Sequence, residues 1–102
     1  MSVQNIGKHN FHQEVLSSEK PVLLDFWAPW CSPCRLLSPV LEEVARLRPD
    51  IKVCKVNVEE EQELAARYKV FSIPTMLVMQ DGTVADKMIG ARPMNQILAM
   101  LG

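Results

Sequence analysis

A chain of 102 residues, 48% apolar and 23% charged, has room for one hydrophobic core and therefore for a single domain over residues 1–102. A formal net charge of −1 supplies no positive field for nucleic acid, and no apolar run reaches the length of a membrane span or a secretory signal, so the expected setting is the cytoplasm, with neither nucleic acid nor membrane as partner. Three cysteines are too few for a disulfide framework.

In chain order, residues 2–6 suit a short edge strand. Asn10 stands where a helix cap belongs, with Gln13 placed to reach back, and that helix is expected to run to Ser18. Residues 21–28, Pro-Val-Leu-Leu-Asp-Phe-Trp-Ala, form a nearly continuous apolar run, the pattern of a central strand covered on both faces. From Cys31 onward, Leu37, Val40, Leu41, Val44 and Leu47 recur at helical spacing, which predicts a helix of about four turns with a kink at Pro39. Residues 51–58 read as a further strand. The acidic run from 59 to 61 opens a helix through Leu64, Ala65 and Tyr68, with Arg67 and Lys69 at the end that favours cations. Residues 74–79 and 83–89, joined by Gln80, Asp81 and Gly82, predict an antiparallel hairpin. The last helix is expected from Pro93, as its first helical residue, to Leu101. The order βαβαβαββα predicts an α/β fold, with a mixed sheet of four to five strands and helices on both faces.

Trp30-Cys31-Ser32-Pro33-Cys34 puts two thiols at the junction of the central strand and the long helix. Such a pair serves as half of a metal site, as a structural staple or as a redox dithiol, and a reducing compartment disfavours the staple. Zinc would need Cys31, Cys34, Cys54 and His9 or His12, yet there is no second C-x-x-C and the histidines lack H-x3-5-H spacing, so no metal is expected. Cys31 meets the unpaired N–H groups and positive dipole end of a helix start, which favour its thiolate, so it is expected as the nucleophile. Cys34 lies one turn further on the same face, where β-carbons about 5–6 Å apart allow a disulfide, and its deeper position suits a resolving thiol. Pro33 falls in the first helical turn, where a missing N–H costs little. Ser32 is either a solvated turn residue or a tuner of the pair, through a hydroxyl donated to a nearby sulfur.

Asp25 interrupts the apolar strand, and burial there raises its pKa, which suits a base for the Cys34 proton; a strand-end carboxylate reaching water or capping the helix is the plainer alternative. Strand parity sets Lys55 on the face of Ile51 and Val53, so its ammonium either approaches Asp25 or extends to solvent. Trp30, on the turn, is expected at the surface rather than in the core, and Trp27 is expected to pack. Cys54 takes the opposite face from Lys55 and is expected to be a buried structural thiol. Arg92 is either a solvated charge or a contact for acidic partners.

The stretch from Asp25 to Cys34, then Pro39, Lys55-Val56-Asn57-Val58, Ser72-Ile73-Pro74-Thr75, Asp81-Gly82 and Gly90-Ala91, resembles the thioredoxin family in order and spacing, from about residue 10 to the end of the chain. The resemblance implies the thioredoxin fold and a monomeric protein-disulfide reductase that works by thiol–disulfide exchange. It assigns Asp25 as the base for Cys34. It also reverses the ordinary trans preference of an X–Pro bond, making Ile73–Pro74 cis and opposite the cysteines, with the Ile73 backbone pairing to an extended substrate. Trp30, Pro33, Ile73, Pro74, Gly90 and Ala91 become a docking patch. No bound cofactor is implied beyond the Cys31–Cys34 disulfide itself, and the implied partners are an NADPH-dependent, flavin-containing thioredoxin reductase and oxidised protein substrates. The family usually has glycine where this chain has Ser32. A binding module of the same fold, with dispensable thiols, is the rival reading, and it has no need of a carboxylate beneath Cys34.

Overall fold

The apolar run Val-Leu-Leu-Asp-Phe-Trp becomes β2 (Val22–Trp27), with every residue but the last buried, because it is the middle strand of a five-stranded sheet. The computed structural model describes residues 3–102. Around β2 the other elements are β1 (Gln4–Asn5), a π-helix (His12–Leu16), α1 (Ser32–Leu47), β3 (Lys52–Asn57), α2 (Gln62–Arg67), β4 (Thr75–Gln80), β5 (Thr83–Ile89) and α3 (Met94–Leu101). The sheet order is β1-β3-β2-β4-β5. β1, β3 and β2 run parallel, and β4 and β5 are antiparallel additions, so the sheet is mixed and the thioredoxin fold expected from the sequence is the one observed.

Strand parity divides the core in two. Val22, Leu24 and Phe26 of β2 face the π-helix and α2, packing with Phe11, Val15 and Leu64. Leu23 of β2 faces α1 and α3, packing with Leu37, Leu41 and Ile97. Among the described residues no helix is long and apolar enough to cross a membrane.

Several element boundaries differ from expectation for local reasons. The expected strand began at Ser2, which lies outside the described residues, and the observed β1 is only Gln4–Asn5. Asn10 does not cap the first helix: its side chain accepts from Gly7 N at 2.8 Å and donates to Asn5 O at 3.2 Å, so it braces the preceding turn, and Phe11 flanks the helix with no side-chain cap. That helix ends at Leu16 rather than Ser18 and has π geometry, closed by Ser17 N donating to His12 O at 2.9 Å, a five-residue step. Glu60 and Glu61 N–H groups donate to the Asn57 carbonyl and Glu59 N–H to the Asn57 side chain, closing a turn, so α2 begins only at Gln62. Gln80 pairs with Thr83 inside the ladder, which leaves Asp81 and Gly82, at φ 51° and 79°, as a two-residue turn with the twist a hairpin needs. Pro93 is extended, with ψ 157°, and precedes α3 rather than opening it. α1 runs unbroken through Pro39.

Candidate active site

β2 ends at the edge of the sheet and the chain turns at once into α1, the Cys31 N–H donating to the Ala28 carbonyl at 3.1 Å. Cys31 itself is the N-cap: its backbone is extended (φ −88°, ψ 107°) and its Sγ accepts from the Cys34 N–H at 3.2 Å. A sulfur at this position receives one of the N–H groups that a helix start leaves unpaired, and lies at the positive end of the dipole, both of which stabilise a thiolate. Cys31 and Cys34 are disulfide-bonded, with Cα atoms 5.3 Å apart. Both are buried, at 5% and 2% exposure, beneath exposed Ser32 and Pro33.

The loop entering β4 meets this pair from the far side of the sequence. Ile73–Pro74 is cis, and the Ile73 carbonyl oxygen stands 3.9 Å from Cys31 Sγ. Thr75 Oγ1 donates to Ser72 O at 2.6 Å and Gly90 N donates to Pro74 O at 2.8 Å, which ties the loop to its neighbours. Gly90 adopts φ 91°, a conformation side chains resist, and Ala91 beside it is exposed. Trp30 is 63% exposed, so it is not a core aromatic; its indole N–H donates to the Glu59 carboxylate. Of the expected docking residues, Trp30, Pro33 and Ala91 are exposed, Ile73 and Gly90 half-buried, and Pro74 buried.

Asp25 is fully buried, and neither carboxyl oxygen has a hydrogen-bond partner among the described residues. Burial pushes its pKa up to about 7, against the opposing pull of the Lys55 cation. Asp25 and Lys55 are register partners on β2 and β3, yet Lys55 forms no ion pair with it among the described residues. The ammonium instead stands 4.4 Å from the Trp27 ring centroid and 3.4 Å from Ser38 Oγ. Ser32 is exposed, in keeping with a solvated turn residue. Its hydroxyl does not donate to a sulfur but accepts from Arg35 Nη2 at 3.3 Å, while Arg35 Nη1 donates to Pro29 O at 3.0 Å, so one guanidinium spans the cysteine turn. Arg92 Nη2 donates to Ile89 O at 2.7 Å.

Cys54 is buried on the opposite face of the sheet among Phe11, Leu24 and Val56, and burial pushes its thiol up to about 12. His12 lies on the π-helix with its Nδ1 3.3 Å from Ser17 Oγ, and no group of three or more metal-binding side chains exists among the described residues.

Sequence reasoning missed three partners of the site residues: Arg35, which donates to Ser32, Ser38, which accepts from Lys55, and Glu59, which accepts from Trp30. Helical spacing offered a signal for two of them, since Arg35 is three residues from Ser32 and Ser38 four from Cys34. Glu59 follows β3 and meets Trp30, which follows β2, because the two strands pair in the sheet.

A dithiol capping a helix, with a buried carboxyl on the strand that leads into it, defines a thiol–disulfide oxidoreductase, a protein that opens and closes its own disulfide in exchange with another. The sequence model of the family Thioredoxin matches residues 2–102. The chain is 43% identical over 102 residues to a thioredoxin of Pyropia yezoensis, covering 99% of this chain and 95% of that protein. It is 42% identical over 100 residues to a thioredoxin of Pseudomonas aeruginosa, covering 97% and 93%, and 50% identical over 84 residues to thioredoxin 1 of Synechococcus elongatus, covering 81% and 78%. The chain belongs to the thioredoxin family and is a protein-disulfide reductase acting by dithiol–disulfide exchange.

Proposed function

We propose that the protein is a cytoplasmic, monomeric reductant of oxidised proteins, working as one domain over residues 1–102, with Cys31 as nucleophile and Cys34 as resolving thiol. The Cys31 thiolate attacks a substrate disulfide; a Cys31–substrate bond forms and the other substrate sulfur leaves as thiolate. The Cys34 thiol then gives its proton to the Asp25 carboxylate and attacks Cys31 Sγ, expelling the second substrate thiolate and leaving the Cys31–Cys34 disulfide. The observations that support these roles are the Cys34 N–H donated to Cys31 Sγ at 3.2 Å and the full burial of Asp25 on β2, the strand that leads into α1.

Trp30, Pro33, Ile73, Pro74, Gly90 and Ala91 form the docking surface, a reading supported by the exposed Trp30 and by the Ile73 carbonyl beside Cys31. An extended substrate segment pairs with the Ile73 backbone in strand fashion. Ser32 acts on the pair through Arg35. Two electrons per turnover must be returned to the disulfide, and the family resemblance makes an NADPH-dependent flavoprotein thioredoxin reductase the partner that does so. The test is capture with Cys34→Ser, which should hold substrates as mixed disulfides through Cys31; capture through Cys54 would overturn the assignment.

A further inference from the structure

Ser38 lies on α1 one turn beyond Cys34, on the same helix face, and is half-buried. Its Oγ accepts from Lys55 Nζ at 3.4 Å, and the same ammonium stands over the Trp27 ring at 4.4 Å. Lys55 is the register partner of Asp25, on the same sheet face, and its flexible stem would otherwise let the cation fold onto the carboxyl.

We infer that Ser38 is a positioning residue for the exchange reaction: by accepting from Lys55 it holds that cation against Trp27 and out of an ion pair with Asp25, leaving the carboxylate free to take the Cys34 proton. The inference rests on the reading of Asp25 as base given above. The groups around Asp25 leave Lys55 as the charge that matters. From β4 its register partner is Met76, from β3 it is Lys55, and α3, Met-Asn-Gln-Ile-Leu-Ala-Met-Leu, carries no ionisable side chain. The Lys55 cation favours the ionised form of Asp25, against the burial that raises its pKa. A cation in direct contact would strengthen that pull and make Asp25 a weaker acceptor for a thiol proton.

The test is the titration of the Asp25 carboxyl carbon by NMR in the oxidised protein, a readout that involves no turnover. Ser38→Ala should lower the midpoint by about one pH unit, the size expected when a unit charge approaches by about 2 Å at an effective dielectric of about 20. Ser38→Thr, which keeps the hydroxyl, should restore the parent midpoint. Lys55→Met should raise it, and adding Ser38→Ala to Lys55→Met should then change nothing. A midpoint unchanged or raised by Ser38→Ala, or a shift that persists without Lys55, overturns the role of Ser38. The pH profile of mixed-disulfide resolution should move with the NMR midpoint. If Asp25→Asn leaves that profile unaltered, the reading of Asp25 as base fails and the catalytic part of the inference with it; an altered Asp25→Asn profile beside an unmoved Ser38→Ala midpoint defeats Ser38 alone.

Discussion

The carbonyl oxygen of Ile73 stands 3.9 Å from Cys31 Sγ across 42 residues of sequence. The two segments meet because β4 pairs with β2, the strand that delivers the cysteines, and the loop entering β4 therefore arrives beside the start of α1. Trp30, directly before Cys31 in the chain, is exposed.

Trp30→Ala should raise KM for a protein disulfide roughly 10-fold, the loss of about 1.4 kcal/mol expected for an aromatic anchor at an interface. Exchange with a small-molecule disulfide should be unaffected, since it does not need the docking surface. Insulin reduction compared with glutathione disulfide reduction separates the two, and an equal loss in both would remove Trp30 from docking.

Cys54 should resist alkylation in the folded protein. Its thiol is buried and pushed up to about 12, so at pH 8 about one in ten thousand is thiolate even before access is considered. Iodoacetamide treatment of the reduced protein followed by peptide mass mapping should label Cys31 at once and Cys54 only after denaturation.

Asp25→Asn should form mixed disulfides at Cys31 at the parent rate and resolve them roughly 100-fold more slowly at neutral pH, as expected when a general base is lost. Rapid-quench trapping with a defined peptide disulfide measures the two steps separately. Unchanged resolution would exclude Asp25 from the proton transfer.

The same carboxyl governs stability against pH. In the folded chain it holds its proton up to about pH 7, against 3.8 for an unperturbed carboxyl, so between these values the folded form binds one proton more than the unfolded form. Stability from this group is therefore present at low pH and falls as pH rises through the window, by about 4 kcal/mol once both limits are passed. Asp25→Asn does not ionise. Urea unfolding of the oxidised proteins should show Asp25→Asn gaining on the parent from pH 4 to pH 8, and a constant difference would contradict the burial of an ionising carboxyl.

Leu41 is fully buried between α1 and the sheet. Leu41→Ala should cost about 2–5 kcal/mol, the transfer loss plus the cavity left behind, measured as a lower urea midpoint with the m-value kept.

Much of this molecule was legible in the residues because its signals are local or periodic. The uninterrupted apolar run of β2 could only be a strand covered on both faces, the spacing of Leu37, Leu41 and Val44 gave α1 its inward stripe, and Asp81-Gly82 set the hairpin. The helix start at Cys31 and the one-turn step to Cys34 follow from the same rules, as does the burial of Asp25. Side-chain partners across the fold were another matter. Asn10 braces Gly7 and Asn5 instead of capping, the Lys55 ammonium goes to Trp27 and Ser38 instead of Asp25, and Ser32 binds Arg35 instead of a sulfur. Each of these choices is a competition among polar groups that several residues satisfy equally well in sequence. Sequence alone determined the strand, the helix and the dithiol at their junction; the tertiary structure decided which neighbour each hydroxyl, amide and ammonium meets, because hydrogen bonds and charges act over a few ångströms that only the packed sheet and helices define.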